Sequence, residues 1–395
     1  MAVTNIKNNI HWVGAIDWDR RLFDELIPLP DGTSYNAYLI NGSEKTALID
    51  TVDPAKTGEL LDHLQELGVR RIDYIVANHA EQDHSGSIPE VLAIYPEALV
   101  VTNEKCKAML MDLLPIPENR FQVVADGASL SLGDRTLEFI LAPWVHWPET
   151  MLTYLREDRV LFSCDFFGAH LAQCRPLLCD ESRTLEAAKR YFAEIMMPFR
   201  LPIRKHLEKL KDLTIDMIAP SHGVVYPRPS FILDAYREWA SDATKNLALI
   251  PFVSMHGSTR EMVEHLTGAL VTRGVSVVPF NLVQTDIGEL AKELIDASTV
   301  VLASPTVLGG AHPAAANAAF LLNALRPKVK FAAIIGSYGW GGKMVETLLA
   351  ALGNLKAELL DPVLAKGMPT DKDYQALDNL AAAIAAKHQG SGVLS

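Results

Sequence analysis

Two rhythms of apolar positions divide the chain. In the first part, short apolar runs (HWVGAI, NAYLI, TALID, YIVANH, ALVVT, FQVV, TLEFILA, MLTYL and RVLFS) are separated by turn-forming residues, the pattern of many short strands. Helical spacing is interspersed at 56–67 and 184–195. Strands dominate and helices do not strictly alternate with them, which predicts an α+β sandwich of layers. Residues 224–245 pass through a Pro-containing stretch into a helical one. From Asn246 onward the rhythm becomes strand, loop, helix, repeated five times, with strand runs LALIPFV, VSVVPF, TVVLAS, KFAAIIG and AELLD. Helical patterns follow them, as at 260–273, 287–296 and 343–352. Strands apolar throughout are buried on both faces, and the alternation calls for a parallel sheet with right-handed crossovers. The second part is therefore expected to be an α/β, doubly wound, five-stranded sheet. The expected domains are residues 1–245 and 246–395.

At 395 residues the chain is long enough for two cores. Hydrophobic residues make up 49% and charged residues 21%, which excludes a disordered chain. No apolar run reaches the ~18 residues of a membrane span, and no basic segment leads into an apolar one at the N-terminus. A cytoplasmic protein with no membrane partner is expected. Cys106, Cys164, Cys174 and Cys179 show no C-x-x-C spacing, so neither a zinc ribbon nor a rubredoxin-type iron site is encoded. The net charge of −12 argues against nucleic acid as a partner. Of that charge, −11 falls on residues 1–245, together with eight of the 12 histidines. The two parts are expected to do different work.

The sharpest motif is His79-Ala80-Glu81-Gln82-Asp83-His84, directly after the apolar run at 74–77. A loop at a strand end can turn these side chains inward. Histidine and carboxylate donors without a thiolate suit iron, manganese or zinc. His146, Asp165 and His222 each follow a short apolar strand, so all are positioned to converge on one edge of a layered β core. This ordered set resembles the metallo-β-lactamase superfold, whose pattern is His-x-His-x-Asp-His, then His, Asp and His, and the resemblance covers roughly residues 30–225. An αββα sandwich follows from it. Where the hydrolases carry a second histidine, this sequence has Glu81, the variant found in the flavodiiron proteins. By that resemblance His79, Glu81 and His146 would hold one iron, Asp83, His84 and His222 the other, and Asp165 would bridge them. His170 is a candidate for orienting a ligand, and Trp147, with Trp144, for an apolar wall beside His146.

In the second part Ser254-Met255-His256-Gly257-Ser258-Thr259 links the first strand to a helix. Hydroxyls, a glycine and a helix N-terminus together offer donors to a phosphate. Neither a Walker loop nor Gly-x-Gly-x-x-Gly is present, so ATP, GTP and NAD are poor candidates. Two later loops, Ser304-Pro305-Thr306-Val307-Leu308-Gly309-Gly310 and Ser337-Tyr338-Gly339-Trp340-Gly341-Gly342, also leave carboxyl ends of strands, where open α/β sheets bind ligands. The three loops resemble those of flavodoxin. By resemblance the first would hold the phosphate of FMN, the second would run along the flavin ring edge, and Tyr338 or Trp340 would stack on the ring. His256 stands where Tyr is common in that family, and Leu308 where Asn is common.

The resemblance implies a flavodiiron oxidoreductase that passes electrons from an external donor, such as rubredoxin, through FMN to a non-haem di-iron site, reducing O2 to water and/or NO to N2O. It also implies a head-to-tail homodimer or a dimer of dimers. The alternatives are a di-metal hydrolase with an appended flavodoxin domain, and a metal-free FMN electron carrier.

Overall fold

The computed structural model describes residues 3–394. The chain forms two compact units, one running to Phe192 and resuming from Phe199 to Ala240, the other taking Ala193–Pro198 and the chain from Ser241 on.

The first unit is built on two sheets. One runs in the order Thr4–Lys7, Ile10–Trp12, Tyr38–Asn41, Thr46–Ile49, Tyr74–Val76, Leu99–Thr102 and Phe121–Val123. The other runs Ser129–Ser131, Thr136–Leu141, Met151–Leu155, Val160–Cys164 and Met217–Pro220. Side-chain alternation along the strands creates the layers. Tyr38, Ile40, Ala47, Ile49, Val76 and Val101 face Leu137, Phe139, Met151, Phe162 and Ala219 in a core between the sheets. The intervening Leu39, Leu48, Ile75 and Val100 pack outward with Leu60, Leu64, Val91 and Leu110 of flanking helices. Leu161 and Ile218, on the second sheet, are fully buried. The result is the αββα sandwich.

In the second unit the parallel sheet has the order Ser276–Asn281, Lys245–Phe252, Ala297–Val307, Phe331–Tyr338, then an edge in two pieces, Glu358–Leu359 and Val363–Lys366. In chain order this is 2-1-3-4-5, the flavodoxin-like winding. One face buries Ala248, Ile250, Val301, Ala303, Ala333 and Ile335 against Leu266 and Leu270 of helix Ser258–Thr272 and Leu377 and Ile384 of helix Asp371–Gly390. The edge strand differs from its sequence reading. AELLD pairs at only two residues, the chain is interrupted around Asp361-Pro362, and pairing resumes in VLAK. Proline has no N–H for the ladder, so a break falls there. No helix among the described residues is long and apolar enough to cross a membrane.

Candidate functional site

The strand Tyr74–Val76 ends in the loop that delivers His79 and Glu81, and a single helical turn, Gln82–Ser85, then brings Asp83 and His84 to the same place. From the other sheet, His146 arrives in the loop between Thr136–Leu141 and Met151–Leu155, Asp165 directly after Val160–Cys164, and His222 directly after Met217–Pro220. The seven side chains meet at one end of the sandwich. Among the described residues three groups have ligand atoms mutually within 4.8 Å: His79, Glu81, His146 and Asp165; Asp83, His84 and His222; and, sharing members with both, His84, Cys164 and Asp165.

Asp165 faces both groups with different oxygens. Its Oδ2 lies 3.4 Å from Nε2 of His79 and 3.4 Å from Nε2 of His146, and its Oδ1 lies 3.0 Å from His84 Nε2 and 3.4 Å from His222 Nε2. Glu81 Oε2 is 3.1 Å from His79 Nε2 and 3.3 Å from His146 Nε2. Asp83 sits between His84 and His222, at 3.3 and 3.1 Å.

The far sides of the rings decide what this convergence means. His79 Nδ1 is 2.6 Å from Glu149 Oε1, which also accepts from the backbone N–H of Ala80, and His222 Nδ1 is 2.7 Å from the carbonyl of Ser34. When Nδ1 carries the proton, the Nε2 lone pair of each ring points at carboxylate oxygens, acceptor against acceptor. Both oxygens of Asp83 and Oδ2 of Asp165 are buried without an aligned hydrogen bond. Buried polar atoms left in this way need a partner, and a cation between the donors satisfies them together.

Without a cation, protons take that role. Burial opposes charging His79, but hydrogen bonds to Glu149 and Glu81 and the charge of Asp165 push its pKa up to about 10. Burial likewise opposes His84 and His146, which Asp83 with Asp165, and Asp165 with Glu81, respectively bring to about 10. Against the same burial, the imidazoles hold Glu81 and Asp165 well below the usual carboxylate range.

His170 lies at the edge of this group, its ring 4.9 Å from that of His222 and its Nδ1 2.9 Å from Thr33 Oγ1. Its Nε2 is buried without a partner, and burial, then the His222 charge, lower its pKa well below the ordinary value. Trp147 stands edge-on to His79 at 4.9 Å, whereas Trp144 is half exposed and stacks on Phe199. Two groups of the site carry no local sequence signal. The hydroxyl of Tyr191 donates to Asp165 Oδ1 at 3.0 Å, and Phe23 packs against His170 and His222. Glu149 is different, because it lies three residues after His146 as the acidic residue of the same loop.

In the second unit the three sequence loops leave the carboxyl ends of neighbouring parallel strands. Thr259 Oγ1 and Ser337 Oγ, both buried, join the first loop to the third at 2.9 Å, and Lys343 N–H donates to Gly309 O at 2.8 Å, joining the third to the second. Ser304 to Val307 belong to the strand itself. The chain reverses at Leu308 and Gly309, both at positive φ, and returns as Gly310–Ala311. Ser254 Oγ accepts from Arg260 N–H, and Ser258 Oγ contacts Met368 Sδ. Met255, His256, Gly339 and Gly341 are exposed, and Leu308 and Trp340 almost completely so, at 97% and 96%. Pro305 is buried, and Thr306, Val307, Tyr338, Gly257 and Ser258 are half-buried.

The family model for ODP family beta lactamases matches residues 33–223. The chain is 36% identical over 391 residues to a nitric oxide reductase of Moorella thermoacetica, covering 97% of this chain and 98% of that protein. It is 34% identical over 378 residues to an anaerobic nitric oxide reductase flavorubredoxin of Vibrio vulnificus, covering 93% and 76%. Among solved structures, rubredoxin oxygen:oxidoreductase from Desulfovibrio gigas matches with a TM-score of 0.94 and 31% identity, over 98% of this chain and 99% of that one. Similarity of this extent in sequence and fold shows that the chain belongs to the flavodiiron protein family.

Proposed function

We propose that this protein is a flavodiiron oxidoreductase in which residues 1–245 hold two iron ions and residues 246–395 hold FMN, and which reduces O2 to two waters with four electrons and four protons, and/or two NO to N2O and water with two of each. The observation that carries the reading is the split use of Asp165, one oxygen toward each of two donor groups. Its support is the acceptor-against-acceptor geometry of His79 and His222, which fits cations held by His79, Glu81 and His146 on one side, Asp83, His84 and His222 on the other, and Asp165 between. Four imidazoles and three carboxylates are a donor set suited to iron.

The second unit fits FMN by the same kind of test. Gly257, at a φ of 99°, has no side chain to cap helix Ser258–Thr272, and Ser254 Oγ meets only its third amide, that of Arg260, so a phosphate is an apt acceptor for the first two. The first loop, 254–259, would hold the phosphate, residues 305–309 would run along the ring edge, and Ser337 to Gly341, with the nearly bare Trp340, would cover the ring. When bound, iron and flavin supply the one- and two-electron chemistry.

The chain's own residues contribute positioning and charge. Glu149 fixes the tautomer and orientation of His79, the Ser34 carbonyl does so for His222, and the Tyr191 hydroxyl holds Asp165. A rubredoxin-type donor, a cytoplasmic location and a head-to-tail dimer or dimer of dimers belong to the same proposal, the assembly being read by light scattering.

Metal and flavin analysis tests the reading, with two irons and one FMN per chain expected. Two zincs would favour a hydrolase, and no metal a flavin carrier. Mixing the anaerobically reduced protein separately with O2 and with NO should reoxidise the flavin with at least one gas. Turnover of neither sinks the assignment.

A further inference from the structure

The hairpin Leu22–Phe23 and Ile27–Pro28 joins neither sheet of the sandwich. It is tied down at its base, where Arg20 Nε donates to Leu22 O, Leu29 N–H donates to Arg21 O and an Arg190 guanidinium N–H donates to Pro28 O. Leu26 N–H closes the turn onto Phe23 O, and both central residues, Asp24 and Glu25, have positive φ. Turns of this kind favour Asn-Gly, so Asp-Glu is held here against its own preference.

The reason for that cost lies in what the hairpin carries. Leu22 and Leu26 point into solvent, at 40% and 56% exposure, while Phe23 between them is 6% exposed. The Phe23 ring lies 4.9 Å from that of His170 and 6.2 Å edge-on to that of His222. Exposure at the site is concentrated on two side chains, His146 and Glu81, since His79 in their own group is 0% exposed. The side chains of His84, His222 and Asp83 are 0%, 1% and 7% exposed, while those of His146 and Glu81 are 11% and 13% exposed.

We propose that Phe23 is a specificity-determining residue: presented by the strained hairpin, its ring seals the Asp83, His84 and His222 half against water and against ligands larger than a diatomic molecule, and leaves the Glu81 and His146 half as the entrance. An aromatic wall suits the substrates proposed above, because O2 and NO are small and weakly polar and lose little hydration on meeting it, whereas bulkier polar ligands meet a steric and desolvation barrier. The proposal rests on the di-iron reading of the site.

The test uses the full-length, oxidised, iron- and FMN-loaded protein and two iron ligands of different size, azide and acetohydroxamate, followed by charge-transfer absorption. The wild type should bind azide and exclude acetohydroxamate. Phe23→Ala should bind acetohydroxamate about tenfold more tightly or better, with azide changed by less than about threefold. Phe23→Leu should keep the exclusion, and Leu26→Ala, on the exposed side of the hairpin, should behave as wild type. Should Phe23→Ala not accumulate as folded protein, Phe23→Val makes the same comparison. Equal acetohydroxamate affinity in wild type and variant overturns the sealing role while leaving the di-iron reading intact. A wild-type chain without two irons overturns that reading, and the proposal with it.

Discussion

The donor group of the first unit is made of buried side chains fixed by other buried side chains, whereas the loops of the second unit expose their largest side chains to solvent and are fixed through backbone and hydroxyl bonds. Asp165 and His84 are buried, and Leu308 and Trp340 stand almost bare. The difference follows from what each ligand lacks. A metal ion brings charge and no shape, so its site must supply opposite charge in a place where water cannot compete. A flavin brings a large apolar ring and a phosphate, so backbone amides and an uncovered aromatic suffice. The first site should therefore respond to single substitutions steeply and to pH strongly, and the second mildly.

The sharpest way to break this contrast is Asp165→Ala, which removes an oxygen from both donor groups at once. Iron content should fall from about two per chain to less than about one-half, with FMN content unchanged. Retention of one full iron would show that the two groups are independent.

A second way removes the metal and varies pH. Folded pKa values near 10 for His79, His84 and His146 lie above the ordinary 6.5, so the stabilisation they give the metal-free protein is complete below pH 6.5 and is lost as pH rises through 10. Chelator-stripped protein should melt about 10 °C lower at the alkaline end than near neutrality. In the iron-loaded protein the metal would hold these imidazoles neutral, and the profile by calorimetry should be flatter.

Glu149→Gln tests the support rather than the donors. It keeps the shape beside His79 Nδ1 but removes the charge, and metal affinity measured by competition with a chelator should weaken about 10- to 100-fold. Trp340→Ala is the mildest. Losing one exposed ring should raise the dissociation constant for FMN about tenfold, read by fluorescence titration of the flavin-free protein, with iron content untouched.

How far each site can be read from sequence follows the same contrast. His79, Glu81, Asp83 and His84 announce themselves because their chemistry is in their residue types and their spacing is local. His146, Asp165 and His222 follow from strand ends once the first four are seen. The parallel winding of the second unit shows in its fully apolar strands. What remained hidden depends on contacts between positions far apart in the chain: Tyr191 against Asp165, Thr33 against His170, Phe23 against His222. Nothing in Tyr191's own neighbourhood marks it, because its partner is brought to it only by the packed fold. Glu149 stood in plain view beside His146 but acts on His79, 70 residues away. The split edge strand is legible only in part, since Pro362 directly after AELLD marks where the ladder breaks but not that pairing resumes in VLAK.

Asn36 gives the sandwich a property of another kind. Its side-chain amide donates to the carbonyls of Pro220 and Gly223 while its oxygen accepts from Trp12 Nε1, so it fastens a strand of one sheet to the loop of His222 on the other. His79, Glu81, Asp83 and His84 issue from the first sheet, and His146, Asp165 and His222 from the second. Iron shared between them would be a rivet through both sheets at the end where Asn36 already clasps them. Loading the metal should then slow amide exchange along strands of both sheets together, as one mechanical body, rather than around the ligands alone.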